Sequence, residues 1–172
     1  MSAPFLITYA SRMDSTVGVA EAIGRVLAET GLRTDVLPMS AVKDLTFYGS
    51  VVAGSAIQGG AWLPEAMQFL RANQASLRRK PFAAFQVCMT LAMRDAENYR
   101  QHVSTWMEPV RQIARPVSEA SFAGALELAK VPSLGDRLKF RISVMLGVWK
   151  EGDHRDWAAI DKWARTLEKA LR

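Results

Sequence analysis

Short apolar runs alternate with amphipathic segments along most of the chain. The apolar runs predict strands at residues 5–10, 34–37, 50–54, 82–89 and near 121–126. Because these runs carry few polar positions, they are typical of strands that helices cover on both faces. No internal repeat and no low-complexity linker interrupts the pattern, which therefore predicts a regular alternation of strand and helix.

The amphipathic segments predict helices between these strands. In the first, apolar residues between positions 19 and 27 recur three and four apart, and Gly31 ends the helix. The same spacing between positions 157 and 171 predicts a final helix. Two more helices are predicted at 64–75 and 95–113, with Pro64 in a first turn, where its missing amide has no helical partner to lose.

Five strands with interleaved helices predict a doubly wound parallel α/β sheet with helices on both faces. A chain of 172 residues with 49% hydrophobic content is long enough for one sizeable core, so we expect a single domain over 1–172. Ligands of such sheets bind at the carboxyl ends of the strands. Since Ser11, Ser55 and Thr90 follow predicted strand ends, we expect their loops to share one crevice.

The loop after the first strand is rich in hydroxyl groups and leads straight into the first helix. A helix N-terminus offers unpaired amides and partial positive charge, both of which stabilise an anion. The hydroxyl groups of Ser11, Ser15 and Thr16 add donors. No Gly-Lys-Ser/Thr of a Walker loop and no G-x-G-x-x-G follows. The loop therefore predicts a site for a mononucleotide phosphate that is held without metal.

Charge and composition narrow the setting of the protein. A net charge of +5 and a pI near 9.7 favour an anionic partner, which charge alone does not identify. No nucleic-acid module is recognisable, so a lipid surface or an anionic substrate is the better expectation. The single cysteine, Cys88, excludes an internal disulfide, and residues 1–12 lack the features of a signal peptide, so we expect a cytoplasmic protein.

The segment 134–149 has two interpretations. Its apolar positions form a helical stripe, in Leu138, Ile142, Met145, Leu146 and Trp149. Basic residues cluster between positions 130 and 155, in Lys130, Arg137, Lys139, Arg141, Lys150 and Arg155. One interpretation is a basic amphipathic helix that contacts a membrane from the inner face or approaches a quinone. The other, which we favour at this point, is a helix that packs on one side of the sheet.

Three motifs in this order resemble the flavodoxin-domain family, and within it the group that includes the flavodoxin-like, menaquinone-dependent protoporphyrinogen oxidase. YASR at 9–12 with ST at 15–16 is similar to the family's FMN phosphate loop. GSAI at 54–57 with Gly60 and WLPEA at 62–66 is similar to its second flavin loop. EGD at 151–153 with RDW at 155–157 is similar to its C-terminal signature. The resemblance covers nearly the whole chain and implies a flavodoxin-like three-layer sandwich whose five-stranded parallel sheet has the order 2-1-3-4-5.

The resemblance also implies FMN as the cofactor and names the residues that would bind it. In the phosphate loop these are Ser11, Arg12, Met13, Asp14, Ser15 and Thr16. In the second loop they are Ser55, Ala56, Ile57, Gln58, Gly60 and Trp62, and after the fourth predicted strand they are Thr90, Leu91 and Ala92. No catalytic residue and no metal ligand is implied, because the flavin supplies the chemistry.

Two of these positions depart from the family pattern. Asp14 stands where the family usually has glycine; aspartate tolerates the left-handed conformation, but its carboxylate would repel a phosphate unless Arg12 offsets it. The alternative is that Asp14 turns away and caps the helix. Gln58 stands where relatives commonly have a tyrosine beside the flavin, and Trp62 is either its aromatic replacement or a packing residue.

The leading expectation is an FMN-binding oxidoreductase that resembles protoporphyrinogen oxidase, with a quinone and an anionic tetrapyrrole as partners. Two alternatives remain: a small electron-carrier flavodoxin, and an interaction domain that has kept the fold but lost FMN. The basic charge favours the first over the carrier, since carrier flavodoxins are usually acidic. His102 and His154 have no further ligands at useful spacing, and Cys88 is expected to be a small core residue.

Overall fold

The computed structural model describes residues 3–172, so Met1 and Ser2, the start of the segment tested for a signal peptide, lie outside the described residues. The strands are β1 (Phe5–Ala10), β2 (Thr34–Pro38), β3 (Ser50–Gln58), β4 (Ala61–Trp62), β5 (Phe82–Cys88), β6 (Ser118–Ala123), β7 (Ala125–Leu126) and β8 (Gly152–Asp153). The helices are α1 (Ser15–Glu29), α2 (Pro64–Ala72), α3 (Gln74–Leu77), α4 (Ala96–Thr105), α5 (Glu108–Ala114), α6 (Leu134–Met145) and α7 (Trp157–Ala170).

The main sheet runs β2-β1-β3-β5-β6 and its strands are all parallel. Because β4 only forms a hairpin with β3, this is the predicted order 2-1-3-4-5, which is confirmed. In the register, Ala10 lies beside Ser55 and Cys88 beside Ala123. The carboxyl ends of β1, β3, β5 and β6 therefore lie at one edge of the sheet.

Helices cover both faces of this sheet. On one face, α1 and α7 bury Ile23, Leu27 and Ile160 against β1, β3 and β5. On the other, α2, α3 and α5 bury Leu70, Leu77 and Val110 against the same strands. Because both faces of the central strands are buried, alternation of polar and apolar residues is absent from β1, β3 and β5.

Several predicted boundaries were wrong. The helix predicted at 64–75 ends at Ala72, because the side chain of Asn73 donates to the carbonyl of Phe69 at 2.9 Å and closes the turn. The helix predicted at 95–113 is two helices, since Pro109 starts a new first turn in α5. The strand predicted near 121–126 divides at Gly124 into β6 and β7, and β7 pairs antiparallel with β8 in a separate small sheet.

No helix within residues 3–172 is long and apolar enough to cross a membrane. The helix expected over 134–149 is shorter and ends at Met145. None of its residues belongs to the core cluster on either face of the sheet, and none is buried. The interpretation of this segment as a plain core-facing helix, which the sequence favoured, was therefore wrong.

Candidate functional site

A cavity of about 690 Å³ lies at the carboxyl ends of the parallel strands. Its walls come from the loop between β1 and α1, from the end of β3 and its hairpin, from the residues after β5, and from the segment that contains α6. Such an edge is where ligands of doubly wound sheets bind. The cavity volume is within the usual range for cofactor sites, roughly 300–1,000 Å³.

The loop between β1 and α1 presents several unpaired polar groups. Met13 and Ser15 line the cavity. Beside them, the hydroxyl oxygens of Ser11 and Thr16 are buried and make no hydrogen bond within the described chain. The amide of Ser15 donates to the carbonyl of Met13 at 2.8 Å, and α1 presents its first amides next to it. A buried hydroxyl without a partner is costly, so these groups are suited to a bound anion.

Asp14 adopts the left-handed conformation that this loop requires, with φ of 60°. Its side chain is exposed and makes no capping hydrogen bond to α1. The alternative in which Asp14 caps the helix was therefore wrong. The carboxylate contributes negative charge beside the loop, and glycine would occupy the same backbone conformation without that charge or the strain of a Cβ atom.

Arg12 pairs with Glu65, the second residue of α2. The guanidinium makes two hydrogen bonds to the carboxylate, and one of them joins Nη2 and Oε2 at 3.0 Å. This hydrogen bonding lowers the pKa of Glu65 and raises that of Arg12. Arg12 also lines the cavity, but its charge is largely matched by Glu65 instead of offsetting Asp14. The pair joins the phosphate loop to the second flavin loop.

The structure corrects the placement of Ser55. This residue lies inside β3 rather than after a strand end, and it is fully buried. Its hydroxyl donates to the carbonyl of Ala56 at 2.8 Å and accepts from the amide of Leu63 at 3.0 Å. Ser55 therefore holds the second loop in place through internal hydrogen bonds and does not face the cavity.

Trp62 has the packing role. Only 4% of its surface is exposed, and its indole N–H donates to Oε1 of the buried Gln86 at 3.2 Å. Gln86 in turn donates to the carbonyl of Val103 at 2.8 Å and to Ser121 Oγ at 2.9 Å. This satisfied network joins β4, β5, α4 and β6 beneath the cavity, so Trp62 is not an aromatic replacement for the missing tyrosine.

The end of β3 supplies the second wall of the cavity, in Ala56, Ile57, Gln58 and Gly60. The turn between β3 and β4 consists of Gly59 and Gly60, which both have positive φ, as a two-residue hairpin needs. A side chain at Gly60 would lie 3.2 Å from Nε1 of Trp106. Trp106, which the sequence analysis missed, therefore supplies the aromatic ring beside this loop.

The third predicted loop is only partly in the wall. Met89 and Thr90 line the cavity after β5, whereas Leu91 and Ala92 lie in the same short 3-10 turn but outside the wall. Cys88, at the end of β5, is 5% exposed and its burial raises the pKa of the thiol. It is a core residue with one side toward the cavity and lacks the depressed pKa of a nucleophilic thiol.

The outer wall of the cavity was not predicted as part of the site. It comes from Val131, Pro132, Asp136, Lys139, Phe140, Ser143 and Trp149. The rings of Phe140 and Trp149 have centroids 5.5 Å apart and are tilted by 41°. Nε1 of Trp149 is buried and has no acceptor among the described residues. The apolar stripe marked this segment in the sequence, but no local signal showed which face turns inward.

The C-terminal signature contacts the phosphate loop through Arg155. Arg155 donates to both carboxylate oxygens of Asp153 at 2.8 Å, which lowers the pKa of that carboxyl, and its guanidinium lies 4.4 Å from the Trp157 ring centroid. It also donates to the carbonyl of Ser15 at 3.3 Å. Arg155 thereby connects β8 to the first residue of α1.

The histidines do not form a metal centre with other ligands. His102 is exposed on α4 and packs edge-on to Trp106. His154 Nε2 lies 2.7 Å from the carbonyl oxygen of Lys150. Within residues 3–172, no group of three or more histidine, cysteine, aspartate or glutamate side chains is arranged to hold a metal ion.

The fold is a doubly wound parallel sheet, and the loop at its first helix N-terminus carries hydroxyl groups without hydrogen-bond partners. These two features are typical of α/β proteins that bind a mononucleotide. The model of the flavodoxin domain family matches residues 6–152, so the chain belongs to the flavodoxin domain family. Membership of this family implies FMN as the cofactor and electron transfer as its chemistry. No curated protein matches the chain.

Solved structures share the fold at low sequence identity. A cysteine-to-serine variant of the flavodoxin from Pseudomonas aeruginosa is 13% identical, with a TM-score of 0.62 and 98% of each chain covered. A flavodoxin from the domain Archaea is 16% identical, with a TM-score of 0.58 and coverage of 98% of this chain and 99% of that one. Rubredoxin oxygen:oxidoreductase from Desulfovibrio gigas is 16% identical, with a TM-score of 0.53, and matches over 37% of its own length.

The residues present fit FMN. Buried Ser11 and Thr16 hydroxyl groups without partners suit the phosphate, and the cavity beside them is bordered by apolar groups and the Trp106 ring, which suit a flavin ring. Asp14 is the one unfavourable group in the phosphate loop. The chain would hold FMN through hydroxyl groups, helix amides and packing, with little help from paired charge.

Asp14→Gly is expected to tighten FMN binding by about tenfold, because it removes a negative charge that repels the phosphate. The effect is moderate because the carboxylate is exposed and solvent screens part of the repulsion. Isothermal titration calorimetry with FMN measures the change. Asp14→Asn, which removes the charge but keeps a side chain that tolerates positive φ, should give most of the gain. Unchanged affinity in both variants would contradict a repulsive role for the carboxylate.

Proposed function

We propose that this protein is an FMN-dependent oxidoreductase of the protoporphyrinogen oxidase type, which oxidises an anionic tetrapyrrole and reduces a quinone. Bound FMN supplies the redox chemistry at its ring. The overall change removes two electrons and two protons from the tetrapyrrole per turnover and adds them to the quinone, which becomes a quinol. The residues of the chain then have to bind and orient both partners and to exclude water.

The outer wall of the cavity is the observation that carries this proposal. A carrier that serves protein partners needs only an exposed flavin edge, whereas here Phe140 and Trp149 extend the cavity beyond the three loops that would hold FMN. A quinone is planar and has carbonyl oxygens. It can pack on these rings and accept a hydrogen bond from the unpaired Trp149 indole N–H.

Charge supports an anionic second partner. The chain carries a net charge of +5, and Lys139 lines the cavity, where it pairs loosely with Asp136 at 3.5 Å. A carboxylate-bearing tetrapyrrole would meet a favourable field on approach. Nothing in the wall resembles a catalytic acid–base pair, in keeping with chemistry that belongs to the flavin.

The test is anaerobic oxidation of protoporphyrinogen by the FMN-loaded protein, followed by porphyrin fluorescence. Product is expected only when a quinone such as menadione is present.

Trp149→Phe keeps an aromatic ring but removes the indole N–H, so the KM for the quinone should rise about fivefold while the Kd for FMN stays unchanged. Trp163→Phe, the same change at a tryptophan of α7 outside the cavity wall, is the matched control. Absence of porphyrin formation with FMN and quinone bound would contradict the proposal.

A small electron carrier is the second candidate, since solved flavodoxins align over nearly the full length of this chain and of their own. A carrier would reduce a protein acceptor such as cytochrome c rapidly and would reduce menadione no faster than free FMN does. An interaction domain that has lost the cofactor would leave the fluorescence of added FMN unchanged at any protein concentration. Reduction of these acceptors and the fluorescence of added FMN thus separate the three functions.

A further inference from the structure

One face of α6 carries apolar side chains that leave about half or more of their surface exposed. Leu134, Leu138, Ile142 and Met145 follow one another at intervals of four, four and three residues, so they form a single stripe. Their exposed fractions are 79%, 60%, 48% and 86%. Leu146, just past the helix, extends the stripe and is 74% exposed.

The opposite face of α6 meets the cavity. Asp136, Lys139, Phe140 and Ser143 line it, and they lie about half a turn from the stripe. A helix on the surface of a globular domain normally turns its apolar side inward and its polar side to water. In α6 this polarity is reversed, so burial in the core does not account for the stripe. Outward apolar surface of this kind marks contact with a partner or a membrane.

Positive charge borders the stripe. Arg141 lies beside it, and Lys150 follows shortly after the helix. Neither Arg141 nor Lys150 has a carboxylate within ion-pair distance among residues 3–172. Arg137 is not part of this border, because its guanidinium donates to the backbone carbonyl of Val131 at 3.0 Å. Long basic side chains at the border of an apolar stripe can keep their stems in the apolar layer and their charges among headgroups.

We propose that α6 docks this protein on the surface of an anionic phospholipid bilayer, with the apolar stripe in the interface and the bordering basic side chains on lipid phosphates. The helix has 12 residues, roughly 18 Å, which is too short to span a bilayer. It therefore lies in the plane of the interface. The cavity then lies about one helix diameter, roughly 10–12 Å, from the lipid. The proposal does not depend on the reaction proposed above.

The test is co-sedimentation of the full chain, with FMN present, with phosphatidylcholine vesicles that contain about one third phosphatidylglycerol. Binding is expected at about 0.05 M salt, with at least a fivefold loss at about 0.5 M salt, where the screening length is short. Vesicles of phosphatidylcholine alone should bind much less. An absence of binding to the anionic vesicles at low salt would overturn the proposal.

Two pairs of variants locate the contact. Leu138→Ser with Met145→Ser should lower the vesicle partition coefficient about tenfold, because both side chains lose apolar area that the interface would bury. Phe47→Ser, at a residue 75% exposed outside α6, is the matched control and should leave it unchanged. Arg141→Gln should weaken binding more than Arg79→Gln, which removes the same charge from an exposed site between α3 and β5. Far-UV circular dichroism checks that each variant is folded.

Two outcomes would overturn the assignment of α6 as the docking element. The first is equal binding of wild type and the Leu138→Ser/Met145→Ser variant. The second is a dimer in analytical ultracentrifugation that this variant loses, together with vesicle binding that salt does not affect. That result would identify a second copy of the chain as the occupant of the stripe.

Discussion

Replacing Thr16 with valine is expected to weaken FMN binding by about 10- to 100-fold, since a hydrogen bond to a charged group contributes roughly 1.5–3 kcal/mol. Thr16 is fully buried at the start of α1, and its hydroxyl has no partner in the described chain. Valine keeps the shape of the side chain. In the absence of FMN the variant should be more stable than wild type by about 1 kcal/mol, because an unsatisfied buried hydroxyl is removed.

Thr8 provides the control for Thr16. It lies on β1, is also fully buried, and its hydroxyl likewise has no partner among the described residues. Thr8→Val should therefore give a similar gain in stability without a loss of FMN affinity. Urea denaturation of the apo protein and calorimetric titration with FMN measure the two effects. Equal FMN affinity in wild type and Thr16→Val would remove Thr16 from the phosphate site.

Replacing Gly54 with alanine is expected to destabilise the protein by about 3 kcal/mol, at the upper end of the usual cost of overpacking a core. Gly54 lies in β3, and a Cβ atom there would overlap the ring of Phe85 on the neighbouring strand. Phe85 is fully buried and packs edge-on against Trp163 at a centroid distance of 6.2 Å. Because the ring is packed between its neighbours, moving it away from a new methyl group would disturb those contacts.

Gly135→Ala is the control for this prediction, because a Cβ atom at Gly135 meets only Ser133 Oγ, at 3.7 Å. That variant should be as stable as wild type or slightly more so, since alanine favours the helix by about 0.5–1 kcal/mol. Combining Gly54→Ala with Phe85→Leu should cost less than the sum of the two single changes, because the leucine leaves room for the new methyl group. Strict additivity in urea denaturation would contradict the overlap.

The phosphate loop shows how much of the site is encoded locally. Strand, hydroxyl-rich loop and helix follow one another in the chain, so their relative placement needs no distant contact. Ser11, Ser15 and Thr16 were found from this order alone, whereas the left-handed conformation of Asp14 was expected because it stands where the family usually has glycine. The direction of the Asp14 side chain was not, because it depends on what surrounds the loop.

Tryptophans show where local reasoning fails. Trp62 lies within a flavin-loop motif, yet it packs in the core and bonds to Gln86, which is 24 positions away in the sequence. Trp106, at the break between α4 and α5, lies beside Gly60 instead. Nothing in the sequence near Trp62 or Trp106 shows which of them packs in the core and which lines the cavity. That difference depends on how α4 packs against the β3–β4 hairpin.

The sequence by itself determined the alternation of strands and helices, the two covered faces of the sheet and the hydroxyl-rich loop at the start of α1, because periodicity and chain order encode them. The strand order followed from the resemblance to a known family, since the same alternation fits more than one order. The tertiary structure alone decided that Arg12 pairs with Glu65, that Ser55 is an internal support, and that α6 turns its apolar stripe outward. Each of these depends on which distant surfaces meet. The amphipathic pattern of α6 is the same whichever side faces the protein, so only packing against the cavity decides its direction.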